Sequence, residues 1–211
     1  MANGTFTVGV FSNKGGSGKT TIAVHLALAW AQGAPTALLD VDPQGTATEW
    51  LKRRSADLKS PLAVPAAGRE AVQQALKLAR AEKYPYIVLD LPPHSSAQIA
   101  WLLSEVDLIV VPTRATAADL VTIGQTVDLV QASKRKAGFV LNAFKPNLVE
   151  AKEVAPILAK YNLPVIGTLG DRIAYSRGLP IGLGGHELGD ASAAEEVTRL
   201  AKKVLQAGVD L

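Results

Sequence analysis

Residues 11–21 read "FSNKGGSGKTT", and the fold turns on what that stretch is. It matches the phosphate-cradling pattern G-x-x-x-x-G-K-[ST] from Gly18 onward, but Asn13 stands at the place of the first glycine and a lysine, Lys14, follows it. An apolar run, "TFTVGVF", leads into the stretch, and a helical pattern from Thr20 to Ala31 leaves it. Strand, glycine turn and helix are the context such a loop needs. Gly15, Gly16 and Gly18 let the backbone curl until successive N–H groups face one concavity, and the helix N-terminus adds partial positive charge to it. Lys19 is then placed to reach β- and γ-phosphates, and the Thr20 hydroxyl to coordinate Mg²⁺.

Outward from the loop the same alternation runs along the whole chain. The Val, Ile and Leu runs "PTALLDV", "YPYIVLDL", "VDLIVVP", "KAGFVLNAF" and "LPVIGTL" read as buried strands. Between them lie helical patterns at Thr46–Arg54, Arg69–Glu82, Gln98–Ser104, Ala117–Ser133, Val149–Tyr161 and Ser192–Gln206. Such alternation predicts an α/β fold, a mostly parallel twisted sheet flanked by helices on both faces, with its site at the carboxyl ends of the strands. "LKSPLAVPAAG" reads as a short edge strand or a loop, and "GLPIGLGGHELGD", with five glycines, as a candidate mobile segment.

A length of 211 residues, 48% hydrophobic and 19% charged, suits one domain spanning 1–211. No apolar run of 18 residues and no leader pattern are present, which predicts a cytoplasmic protein. The absence of cysteine excludes disulfides, thiolate zinc sites, iron–sulfur clusters and cysteine nucleophiles. A net charge of +3 is compatible with a polyanionic partner and equally with an ordinary surface.

Three aspartates fall at strand ends. Asp40 and Asp42 in "ALLDVDPQG" alternate, so they share a face if the strand continues that far, and Asp90 closes "YIVLD". Carboxylates beside a triphosphate are repelled unless a cation or a water lies between. Mg²⁺ makes sense of Asp40 and Asp90, and an attacking water makes sense of Asp42.

With "KGGSGKTT", "DVDPQG", "VLDLPP" and "VLNAF" in this order, the chain resembles the ParA/MinD family of deviant Walker ATPases, and more closely its short ParA-type partition members. The resemblance implies a P-loop NTPase fold and an ATPase that forms a homodimer around two ATP molecules, binds DNA without sequence preference as that dimer, and is reset by a ParB-like or cargo-linked adaptor that stimulates slow hydrolysis. It implies that Lys14 crosses the dimer interface to the partner's phosphates, which gives the second lysine of the loop a purpose. Gly15, Gly16, Ser17, Gly18, Lys19, Thr20 and Thr21 then wrap the phosphates, with Lys14, Lys19 and Asp42 serving catalysis and Asp42 orienting the water. Thr20, Asp40 and Asp90 serve the magnesium shell, and Asn142 hydrogen-bonds adenine, although Asn142 equally suits the cap of a following turn. Two residues depart from the family pattern: Ser17 replaces a usual valine at a position expected to tolerate solvent, and Leu91 replaces a usual hydroxyl residue after the Walker B aspartate.

The resemblance leaves the cargo open among plasmid, chromosome and protein cluster, with a nucleoid-associated location in each case. The loop begins near residue 14, so no added operator-binding region is expected. Non-specific duplex contacts are expected among Lys52 to Arg54, Lys134 to Lys136, Arg172, Arg177, Lys202 and Lys203. One alternative is a MinD-like membrane ATPase. The tail "EEVTRLAKKVLQAGVDL" carries a stripe of Val197, Leu200, Val204 and Leu205, but without aromatics or a wide basic face that stripe is expected to pack on the sheet, with no membrane contact. Another is a small-molecule ligase or kinase of related fold, such as dethiobiotin synthetase, which has no need of Lys14. His25, His94 and His186 form no nucleophile pattern, and Trp30, Trp50 and Trp101 read as packing.

Overall fold

The apolar runs become strands because their side chains alternate between two faces that are both covered. In the computed structural model, which describes residues 4–93, 97–146 and 149–210, seven strands form one sheet. They are β1 (Phe6–Val10), β2 (Thr36–Asp40), β3 (Leu62–Pro65), β4 (Tyr86–Asp90), β5 (Leu108–Thr113), β6 (Lys136–Phe144) and β7 (Val165–Gly170). Their order is β3-β2-β4-β1-β5-β6-β7, every pair parallel. The crossovers are α1 (Lys19–Ala31), α2 (Thr46–Lys52), α3 (Arg69–Ala81), α4 (Ala97–Ser104), α5 (Ala117–Ala132) and α6 (Val149–Ala159), followed by α7 (Ile173–Gly178) and α8 (Ala191–Asp210).

Val8, Val10, Leu38, Val88, Val110 and Val140 form one core with α1 and α8, while Leu39, Ile87, Leu89, Ile109 and Val111 form the other with α3, α4 and α5. The period of two in the strands makes that division. Helix α1 is buried nearly all round, so its sequence is apolar rather than amphipathic. On α8 the stripe Val197, Leu200 and Val204 is buried against this core, each side chain contributing roughly 1.5–3 kcal/mol. No helix among the described residues is long and apolar enough to cross a membrane.

Three details resolve or revise the sequence reading. Strand β2 stops at Asp40, so Asp42 sits in the turn beyond it and its carboxylate accepts the Gln44 N–H at 3.0 Å. The ambiguous "PLAVP" segment supplies β3, at the edge, where Pro65 leaves no interior ladder bond unmade. The glycine-rich segment after α7, expected to be mobile, is tied down instead. All five guanidinium N–H groups of buried Arg54 are used: on Ser60 Oγ at 2.7 Å, Lys59 O at 2.6 Å, Gly182 O at 3.0 Å, and both oxygens of Glu187 at 2.6 and 2.7 Å. His25 adds a second anchor, because its Nε2 accepts the Gly185 N–H at 2.8 Å while Nδ1 donates to Thr21 O at 2.6 Å. These contacts join the phosphate-loop helix α1, the end of α2 and the glycine segment into one block.

Candidate nucleotide site at the carboxyl edge of the sheet

The loop between β1 and α1 has the curl expected of it. Gly16 and Gly18 take φ of +74° and +100°, a region closed to most side chains. Lys19 opens α1 with only 7% of its surface exposed, and its Nζ donates to Lys14 O at 3.3 Å across the concavity. Burial lowers the ammonium's pKa, and the charges of Asp90 and Asp42 pull it back up. The limb before the glycines is held by α5: Asn13 N–H donates to Thr126 Oγ1 at 3.1 Å and Asn13 Nδ2 to Gln125 Oε1 at 3.2 Å. Lys14 also turns to α5, its Nζ lying 2.8 Å from Asp119 Oδ1.

Register brings the acids together. Asp40 pairs with Asp90 across β2 and β4, and Val10 pairs with Asp90 across β1 and β4, so both carboxylates emerge on the α1 face next to the loop. Asp40 Oδ2 accepts from the Thr48 N–H and hydroxyl at 2.7 and 2.8 Å, which fastens the first turn of α2, and its Oδ1 has no partner. Asp90 is wholly buried and neither of its oxygens takes a hydrogen bond of ordinary geometry. Burial pushes its pKa up to about 7, with the Thr20 hydroxyl and the Lys19 charge acting against the rise. Three unpartnered carboxylate oxygens beside the Thr20 hydroxyl are the oxygen donor set of a hard divalent cation, so these residues fit Mg²⁺. Asp42 stays close enough for its charge to act on Lys19, Asp40 and Asp90, but from the turn rather than from the pleat.

The two departures from the family pattern acquire structural reasons. Ser17 is 1% exposed with its hydroxyl unpartnered, because the left-handed turns on either side direct it inward. The expectation of a solvent-tolerant position is therefore corrected. Leu91 follows Asp90 and so points to the opposite face, where it is fully buried in the other core, away from the acids.

Asn142, at the end of β6, lies against the phosphate loop. Its Nδ2 donates to Ser17 O at 2.9 Å, which leaves one amide proton and Oδ1 for a ligand. Beside it opens a cleft of about 230 Å³ lined by Thr21, Arg114, Asn142, Asp171, Ile173 and Tyr175. Sequence reasoning missed Arg114 and Asp171, which lie in connections after β5 and β7, and Ile173, which opens the six-residue α7, because segments this short carry no periodic signal. Ala143, at φ +50°, marks the irregular end of β6 and is equally silent in sequence.

The basic residues divide. Arg54 is buried and fully engaged, Lys52 pairs with Glu49 at 2.7 Å, and Arg53 donates to Pro180 O at 3.1 Å. Arg135 is spent on Ser104 O, and Lys136 on the α8 carbonyls Gly208 O and Val209 O at 2.9 and 3.0 Å. Arg172 pairs with Glu196 at 2.7 Å and with Asp190 at 3.9 Å, whereas Arg177, Lys202 and Lys203 are exposed. His94 lies outside the described residues; His25 and His186 belong to the packing under the glycine segment.

Comparison with known proteins agrees with this geometry. The family model of the CobQ/CobB/MinD/ParA nucleotide binding domain matches residues 8–181. The chain is similar to maintenance of carboxysome distribution protein A of Halothiobacillus neapolitanus, 28% identical over 97% of this chain and 98% of that one. It is also similar to the protein of the same name from Gloeobacter kilaueensis, 35% identical over 74% of this chain and 72% of that one. Among solved structures, a chain of the Aquifex aeolicus MinC:MinD cell division complex superposes with a TM-score of 0.80 at 16% identity, covering 98% of each.

Proposed function

Because the chain belongs to the CobQ/CobB/MinD/ParA family of nucleotide-binding domains, we propose that it is an ATP-dependent dimerising switch that hydrolyses ATP slowly to position a protein cargo over the nucleoid. The observation that carries the reading is Asp90, a wholly buried carboxylate with both oxygens unpartnered, set among Thr20, Lys19 and Asp40 at the mouth of a phosphate loop. A magnesium-bound triphosphate is the ligand that such a carboxylate and such a loop share.

In this reading the N–H groups of Gly15 to Thr21 receive the phosphate oxygens, and Lys19 swings from the Lys14 carbonyl to the β- and γ-phosphates. Thr20, Asp40 and Asp90 would hold Mg²⁺, which would supply positive charge to offset that of the phosphates. Asp42 accepts a hydrogen of the attacking water and aims its oxygen at the γ-phosphorus, so that ATP and water become ADP and phosphate. Asn142 and the cleft beside it receive the base. Lys14 serves the triphosphate of the second copy, which makes dimerisation depend on nucleotide, and hydrolysis ends that contact.

Similarity to two proteins named for carboxysome distribution, one along 97% of this chain and the other along 74%, favours a protein compartment as cargo, with an adaptor protein stimulating hydrolysis. The exposed Arg177, Lys202 and Lys203 are the residues proposed to ride on duplex DNA. The test is binding of the Asp42→Ala protein to random-sequence duplex at low and moderate salt. Salt-sensitive binding with ATP and none with ADP supports the switch; equal binding with both nucleotides, or none with either, rejects the DNA-riding step. Lys19→Ala should abolish nucleotide binding altogether.

A further inference from the structure

The carboxylate that receives Lys14 is built into a helix start. Its side chain, that of Asp119, is 7% exposed against 35% for the lysine. While Oδ1 faces Lys14, Oδ2 accepts the Thr116 hydroxyl at 2.5 Å, and the Asp119 N–H donates to Thr116 Oγ1 at 3.2 Å. Thr116 is the N-cap of α5, so one carboxylate both closes the first turn of that helix and holds the lysine. With the two Asn13 contacts to Gln125 and Thr126, the limb of the loop that carries Lys14 is fastened to α5 at three points.

Building on the reading in which Lys14 serves the second copy's triphosphate, we propose that Asp119 is a positioning residue, the resting counter-ion of Lys14. Dimerisation is then an exchange: each Lys14 leaves the Asp119 of its own subunit for an anion on the other. The exchange strips a nearly buried carboxylate oxygen of its cation, which is costly, so only a strong anion drives it. A triphosphate supplies more charge than a diphosphate, and Asp119 thereby sharpens the distinction between the two. Because the same carboxylate accepts the hydroxyl of Thr116, the N-cap of α5, the exchange also alters the start of that helix, whose next turn presents Val121 to solvent.

The experiment is Asp119→Asn, which removes the charge while keeping an oxygen for the Thr116 hydroxyl. A coupling of this kind is worth roughly fivefold per subunit, and two lysines move per dimer, so the effect on the dimer constant is about 25-fold. Sedimentation velocity with Mg²⁺ and a non-hydrolysable ATP analogue should show the variant dimerising about 25-fold more tightly than the wild type. In the nucleotide-free variant, amine acylation at Lys14, read by mass spectrometry, should be faster than in the wild type. If the wild type dimerises and the variant does so equally or more weakly, the exchange is refuted and the dimerising switch stands. If the wild type does not dimerise with the analogue, both fall. The wild type alone provides an independent check: without nucleotide, Lys14 should be acylated more slowly than exposed Lys134, and an equal rate overturns the proposal.

Discussion

Replacing Gly18 with alanine isolates the contact on which the phosphate loop is built. At φ +100° an L-residue carries left-handed strain of about 1–2 kcal/mol. The added Cβ would also stand 1.9 Å from Asn142 Nδ2 and 2.8 Å from its Cγ, so Asn142 must move. Moving it breaks the 2.9 Å bond to Ser17 O and leaves a buried carbonyl unsatisfied, a further cost of about 1–3 kcal/mol. The sum, about 2–5 kcal/mol, falls on the loop rather than on the cores, and so appears mainly in nucleotide affinity. A cost of about 3 kcal/mol corresponds to a loss of roughly 150-fold in Kd. Titration of a fluorescent ATP analogue into the wild type, Gly18→Ala, Asn142→Ala and the double variant measures it. Gly15→Ala, whose Cβ would meet nothing within 4 Å, is the control and should lose far less. The double variant should be less impaired than the sum of the single ones, because removing Asn142 removes the clash and leaves only backbone strain. Gly18→Ala binding within about threefold of wild type, or strict additivity in the double variant, would refute the reasoning.

Ser17→Ala removes a buried hydroxyl with no partner and should stabilise the nucleotide-free protein by about 1 kcal/mol in urea unfolding; destabilisation would show that the hydroxyl is satisfied. His25 is fully buried with a pKa lowered to about 4 from 6.5, so the unfolded chain takes up the proton first. Its contribution is complete above about pH 6.5 and is lost as the pH falls toward 4, by about 3 kcal/mol, so the stability gap between wild type and His25→Gln should shrink over that window. A gap that is the same at pH 7 and pH 4.5 contradicts the assignment. Asp90 runs the other way: with a pKa near 7 against 3.8, it favours the fold at low pH and loses that contribution as the pH rises through 7. In EDTA without nucleotide, Asp90→Asn should therefore match wild type near pH 4 and exceed it at pH 8 by up to about 4 kcal/mol, while losing the stabilisation that Mg²⁺ and ATP confer on wild type. Equal stability at both pH values would mean that the carboxylate has a partner.

What the sequence determined by itself is what local rules govern. Apolar runs bounded by helical patterns specify strands and crossovers whatever lies across the sheet, because periods of 2 and 3.6 are properties of neighbouring residues. The glycine turn followed by Lys19 and Thr20 is likewise a matter of a few consecutive dihedrals, which is why the loop, the parallel sheet and the three aspartates are legible in the chain alone. Tertiary structure decided which of these groups meet. Register set Asp40 beside Asp90, whereas the early end of β2 moved Asp42 into a turn. Asn142 reached Ser17 across 125 positions, and Arg54 reached Glu187 across 133, removing a residue of an apparent basic cluster from the surface. Lys14 reads in sequence as a charge awaiting a distant phosphate, and in the folded chain it already has a carboxylate. Pairings over such separations depend on how the crossovers close and on which charges burial forces together, and no local pattern in the chain encodes either.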